Sequence, residues 1–153
     1  CICHLRGNDY IGSPADSLLR LEYYQNAMNY MRDINKDMKF FMVSDDYNLA
    51  QSYCDKLGMT FIGSTSRKEE DPYKSNYHKG GAICEDYSII NNAKNIILSN
   101  STFGFWAAYT NLNLKNIIAP KYWFAHNLEG DYWSTADMQV KEWKYLDRYG
   151  QIW

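Results

Sequence analysis

The chain is poor in everything that constrains a fold from outside its core. Among 153 residues there are only three prolines and four cysteines. Cys1, Cys3, Cys54 and Cys84 show neither the C-x₂-C pairing nor the neighbouring histidines of a zinc site. Cys1 and Cys3 fall on one face of a single strand, where thiols rarely bridge, so buried free thiols in a reducing compartment are expected. The longest apolar run, from Phe105 to Tyr109, is only five residues, far short of a bilayer span. A net charge of −2 and a pI near 5.9 leave no basic footprint for nucleic acid or an anionic membrane. No internal repeat or low-complexity tract is visible.

Aromatic residues are abundant, with 14 Tyr and 5 Trp. Many follow residue 120, where they either cover a surface that a sugar or another domain would meet or pack a last helix down. The opening Cys1-Ile2-Cys3-His4-Leu5 reads as a strand already in progress, without an initiator Met. A piece cut from a longer polypeptide is expected.

The rest alternates regularly. A strand over 1–5 leads into a Gly/Asn/Pro loop. Asp16 or Ser17 can cap a helix carrying Leu18, Leu19, Leu21, Tyr24, Met28 and Met31 at helical spacing. A strand over 40–43 ends at Asp45-Asp46, which opens a helix over 49–57 stopped by Gly58. A third strand over 60–62 precedes a long polar loop over 64–79. A helix over 82–93, a strand over 96–99, a further helix and a strand over 116–119 complete the pattern. Strands alternating with helices predict an α/β domain spanning 1–153, a Rossmann-like parallel sheet with helices on both faces. Ligands of such sheets sit at the carboxyl ends of the strands.

Three groups share that edge. His4 and Arg6 follow the first strand, Ser44, Asp45 and Asp46 the second, and Ser99 to Thr102 the fourth. After the apolar Ile96-Ile97-Leu98, the segment Asn100-Ser101-Thr102-Phe103 leads into a helix. Free backbone N–H groups, two hydroxyls and the positive helix end there suit a phosphate. The plainer reading is an N-cap by Ser101 or Thr102. Arg6 has the planar fork that clamps a pyrophosphate, or is a surface residue paired with Asp9. His4 is either part of that site or a hydrogen-bonded core histidine. Asp45-Asp46 reads chiefly as a cap. A metal-binding pair is the alternative, and a receiver-type phosphoacceptor is disfavoured because the first strand ends without an acidic pair.

Taken together, these segments resemble a known family. His4-Leu5-Arg6-Gly7-Asn8-Asp9 is similar to the H-x-R-x-x-D motif of the α-1,2-, α-1,6- and O-fucosyltransferase superfamily. Phe41-Met42-Val43-Ser44-Asp45-Asp46 resembles the F-x-x-S-D-D strand end of glycosyltransferase family 11. Asn100 to Ala108 matches that family's N-S-[ST]-F-[SG]-[WF]-W-A-A signature, and Ile118 to Phe124 its I-A-P-x-x-W-F continuation. The motifs run in order over residues 1 to about 124.

The resemblance implies the donor-binding C-terminal domain of a two-domain GT-B enzyme. It also implies inverting, metal-independent transfer of L-fucose from GDP-fucose to the 2-hydroxyl of a galactoside, in the cytoplasm or at the cytoplasmic face of a membrane. No cofactor is implied. The partners are the donor, a galactose-containing glycan acceptor and the N-terminal acceptor domain of the same polypeptide. Under the resemblance Arg6 holds the β-phosphate, His4 and Asp86 read the guanine, and Ser101, Thr102 and the Phe103 N–H bind the diphosphate. Asp9 holds the Arg6 loop or, as the one motif carboxylate near the expected site, serves as the base. Many relatives carry a second arginine where this chain has Gly7. A non-catalytic nucleotide-binding module on the same fold is the alternative.

Overall fold

In a computed structural model that describes residues 1–14, 16–63, 80–124, 126, 128 and 139–153, eleven short elements build one sheet and its cover. The strands are β1 (Ile2–Leu5), β2 (Phe41–Ser44), β3 (Thr60–Phe61), β4 (Asn95–Ile97), β5 (Asn116–Pro120) and β6 (Lys144–Leu146). The helices are α1 (Leu21–Ile34), α2 (Tyr47–Leu57), α3 (Gly80–Asn91) and α4 (Thr102–Tyr109), with a 3₁₀ turn at Asn8–Tyr10. Every strand pairing in the sheet is parallel, in the order β3-β2-β1-β4-β5-β6.

Strand alternation distributes the core between two faces. Cys3, Leu5, Met42, Ile97 and Ile118 pack beneath α1 and α2, against Tyr24, Met28, Met31 and Cys54. Their neighbours in sequence, Val43, Ile96, Leu98 and Ile117, point the other way into Ile90 of α3 and Phe105, Ala107 and Ala108 of α4. The α/β expectation with helices on both faces therefore holds. Among the described residues, no helix is long and apolar enough to cross a membrane.

Three details differ from the sequence expectation. The first helix begins at Leu21, not at an Asp16 or Ser17 cap. Asp16 has a left-handed φ of 45°, its N–H closes a turn onto the Ser13 carbonyl, and its carboxylate holds Arg20 at 2.9 Å. The chain thus turns at the point where a cap would launch the helix, and Leu18 and Leu19 precede it. A sixth strand, β6, pairs with β5 where a last helix had been one expectation. Cys84 is exposed on α3. Cys3 and Cys54 are buried as expected, and burial pushes their thiols up to about 12 and about 11. The polar stretch 64–79 lies outside the described residues.

The strand order changes direction between β1 and β4, and the crevice outside their carboxyl ends is the place where such sheets bind ligands. Two adjacent tyrosines of α1 brace it. Tyr23 donates to the Leu98 carbonyl at 2.7 Å and Tyr24 to the His4 carbonyl at 3.0 Å. Burial raises both phenols well above their ordinary range, so they stay protonated donors.

Candidate active site

The chain leaving β1 carries Arg6 across the end of the sheet. The Arg6 backbone N–H donates to Ser99 Oγ at 3.1 Å, and the same hydroxyl meets His4 Nδ1 at 2.9 Å. One serine thus ties β1 to the loop after β4. Tyr10 adds a second tie, its hydroxyl donating to the Asn100 carbonyl at 2.9 Å. The Asn100 amide then reaches outward to the Ser17 carbonyl at 2.9 Å and the Trp123 carbonyl at 2.6 Å. Asn100 is completely buried, so these bonds replace water and lock three loops together.

Beyond Asn100, Ser101 occupies the N-cap position of α4, but its hydroxyl makes no capping bond. The plain N-cap reading fails there. Among the described residues, the N–H groups of Thr102, Phe103 and Gly104 have no acceptor. They form the open positive end of a helix. This turn rests on His4. A Cβ added to Gly104 would lie 2.6 Å from His4 Nδ1, so the helix approaches the imidazole as only glycine permits. Phe103 stands beside the ring, with centroids 5.9 Å apart, and Tyr87 of α3 caps Phe103 edge-on at 5.7 Å. Asp86, next to Tyr87, is buried at 1% exposure.

The Arg6 guanidinium is held by two carboxylates. Nη2 meets Asp9 Oδ1 at 2.8 Å and Nη1 meets Asp45 Oδ2 at 2.8 Å. Burial opposes its charge, but the Asp9 hydrogen bond and the Asp45 and Asp9 charges outweigh that, so the group is more firmly protonated than usual. The pairing of Arg6 with Asp9 read from the sequence is therefore present. It coexists with placement at the ligand edge.

Asp45 and Asp46, which read as a cap, divide the work. Asp46 is the N-cap of α2, accepting from the Leu49 N–H at 2.9 Å. Asp45 instead faces the Arg6 loop, accepting the Gly7 N–H at 2.8 Å. Gly7 is packed so closely that a Cβ would lie 2.8 Å from Asp46 Cβ and 3.0 Å from Leu49 Cδ2. In this backbone there is no room for a second arginine at that position.

At this edge Ser99 links His4 to Arg6, Asp9 pairs with Arg6, and Phe103, in the helix that Ser101 and Thr102 open, stands beside His4, with Asp86 on the neighbouring helix. Ser99, Tyr10, Asn100 and Asp45 supply their framework. Ser99, Asn100 and Asp45 carried a sequence signal, as polar residues at strand ends. Among the described residues no group of three His, Cys, Asp or Glu side chains could hold a metal.

The late aromatics pack no last helix among the described residues and divide between core and surface. Trp143 is buried against Phe105, with rings 5.2 Å apart. Trp153 stays exposed beneath Lys121, whose Nζ lies 3.1 Å from its ring centre.

Glycosyl transferase family 11 matches residues 1–147. The chain belongs to this family. Two curated relatives from Escherichia coli are similar to it. One, named O-antigen biosynthesis glycosyltransferase WbnK, is 28% identical over 129 residues, covering 81% of this chain and 39% of that protein. The other, named alpha-1,2-colitosyltransferase, is 27% identical over 150 residues, covering 95% of this chain and 47% of that protein. The family 11 chain thus spans less than half the length of both relatives.

Proposed function

We propose that this chain is the donor-binding part of an inverting, metal-independent α-1,2-fucosyltransferase of GT-B architecture. It would take L-fucose from GDP-fucose to the 2-hydroxyl of a galactose-containing glycan, in the cytoplasm or at the cytoplasmic face of a membrane. The acceptor side would lie in a further N-terminal domain. The observation that carries this reading is that the Arg6 backbone is tied to Ser99, in the loop that leads into the open first turn of α4, at the switch point of a family 11 sheet.

The chemistry follows from charge. Cleaving the bond between fucose and GDP leaves negative charge on the β-phosphate, while the sugar passes through an oxocarbenium-like state. Fixed N–H donors and a guanidinium stabilise that charge as it grows and need no reorganisation during the step. Arg6 would hold the β-phosphate, and Ser101, Thr102 and the Phe103 N–H would hold the diphosphate. His4 and Asp86 would read the guanine. Asp9, bound to Arg6, would act on the loop rather than as the base.

The transferred sugar has one competing reading, because one relative is named for colitose. Colitose is fucose without its 3-hydroxyl, so the same site could serve either GDP-sugar. Calorimetry decides the nucleotide. GDP and GDP-fucose should bind more tightly than ADP or UDP, and a chelator should change nothing. Equal affinity for ADP would remove the guanine assignment, and dependence on Mn²⁺ or Mg²⁺ would remove the metal-free mechanism. Tighter binding of GDP-colitose than GDP-fucose would reassign the sugar.

A further inference from the structure

We infer that Asp45 is the positioning residue for Arg6, a carboxylate that fixes the phosphate-binding guanidinium from behind without touching the donor. This rests on the donor reading above.

The two oxygens of Asp45 have separate partners. Oδ1 accepts the Gly7 N–H at 2.8 Å, which fixes the backbone directly after Arg6. Oδ2 lies 2.8 Å from Arg6 Nη1, which fixes the far end of the same side chain. Oδ2 is itself buried and makes no hydrogen bond of good geometry, so the ion pair with Arg6 is its compensation. Arg6 is thereby gripped at both ends by one side chain, 39 positions away in sequence.

The support behind Asp45 is rigid. The Ser44 hydroxyl accepts the Asp46 N–H at 3.0 Å, and the Asp46 carboxylate starts α2. Gly7 presses against Asp46 and Leu49, so the loop cannot move towards α2. Asp9 differs: its side chain is 52% exposed against 19% for Asp45, and it holds only the other guanidinium nitrogen. A long side chain loses rotamer entropy when it binds a phosphate. A buried carboxylate that pre-sets the fork removes that cost before the donor arrives. Gly7 leaves no second cation beside Arg6, so its aim matters more.

The test is a double-mutant cycle on GDP binding, with Asp45→Asn, Arg6→Lys and the combination. Asp45→Asn should weaken GDP at least tenfold. The double variant should bind within twofold of Arg6→Lys alone, because the clamp has nothing left to aim. Asp45→Glu, which keeps the charge but moves it by one methylene, should also lose affinity. Labelling of Arg6 by phenylglyoxal, mapped by mass spectrometry, reads the clamp without nucleotide. It should speed up several-fold in Asp45→Asn or Asp45→Glu and stay unchanged in Asp46→Asn. Unchanged labelling, or losses that simply add in the cycle, would overturn the inference. Faster labelling in a chain that binds no GDP would leave the clamp standing and remove the donor reading.

Discussion

Two elements at the switch point can meet an anion, and they are prepared in opposite ways. The first turn of α4 has open N–H groups at Thr102, Phe103 and Gly104, with no cap from Ser101. The Arg6 loop brings a full positive charge already matched by Asp9 and Asp45. The helix end is ready but weak, since a helix terminus contributes about half a charge. The guanidinium is strong but engaged. Charge that is buried must be paired in the empty site, whereas backbone donors can wait for a ligand with water in place. On the donor reading, a diphosphate would replace one of these carboxylates on Arg6.

The largest effect expected is at Arg6. Charge-assisted hydrogen bonds are worth roughly 1.5–3 kcal/mol each, and an ammonium cannot reproduce the fork. Arg6→Lys and Arg6→Ala should each lower turnover efficiency about a hundredfold, from about 3 kcal/mol at 1.4 kcal/mol per decade. Ser101→Ala should cost nearer tenfold or less, because the N–H groups remain. Equal losses at the two positions would break the comparison. Stability should suffer too, since Arg6→Ala leaves Asp45 Oδ2 buried without its partner.

The two elements also show what the sequence could convey. The strands, the two-faced core and the placement of His4, Arg6 and Ser101 at one edge were legible because they follow from local periodicity and strand-end position. The role of Asp45 was not. Two aspartates before an apolar helix look like a cap, and Asp46 is one. The partners of Asp45 lie 38 and 39 positions away, where no local pattern reaches. Strand β6 was missed for a related reason. Lys144-Tyr145-Leu146 is three residues in an aromatic-rich tail, and it becomes a strand only because β5 supplies a parallel edge. The late start of α1 depended on the left-handed Asp16, a backbone state that aspartate permits without announcing.

Acid acts on a group apart from both elements. His126 is 1% exposed, edge-on to Tyr23 at 5.4 Å and tilted against Tyr122 at 5.8 Å. Burial lowers its pKa from 6.5 to about 4; the Arg148 charge adds to this, while the Tyr122 backbone and Asp147 oppose it. The unfolded chain then binds a proton that the folded chain refuses. This contribution to stability is complete above pH 6.5 and is lost as pH falls towards 4, amounting to at most about 3 kcal/mol. Melting temperature between pH 7 and pH 4.5 should fall in the native chain and fall much less in His126→Phe. A parallel decline in both would show that His126 is not the source of the acid sensitivity.

The smallest effect expected is at Asp9, and it bears most directly on how the engaged half of the site opens. On the donor reading, Asp9 would compete with the β-phosphate for Arg6 Nη2, whereas Asp45 holds Nη1 from the more buried side. An exposed ion pair contributes only about 0–1 kcal/mol, so releasing it should gain a similar amount in anion affinity. Asp9→Asn should therefore bind GDP up to about threefold more tightly, at low salt, while Asp45→Asn binds more weakly. The advantage should shrink as salt rises and screens the competing charge. If Asp9→Asn instead left GDP affinity unchanged and abolished turnover, the carboxylate would belong to the chemistry as its base. The two carboxylates on Arg6 would then differ in reaction role, and no longer as fixed and displaceable counter-ions.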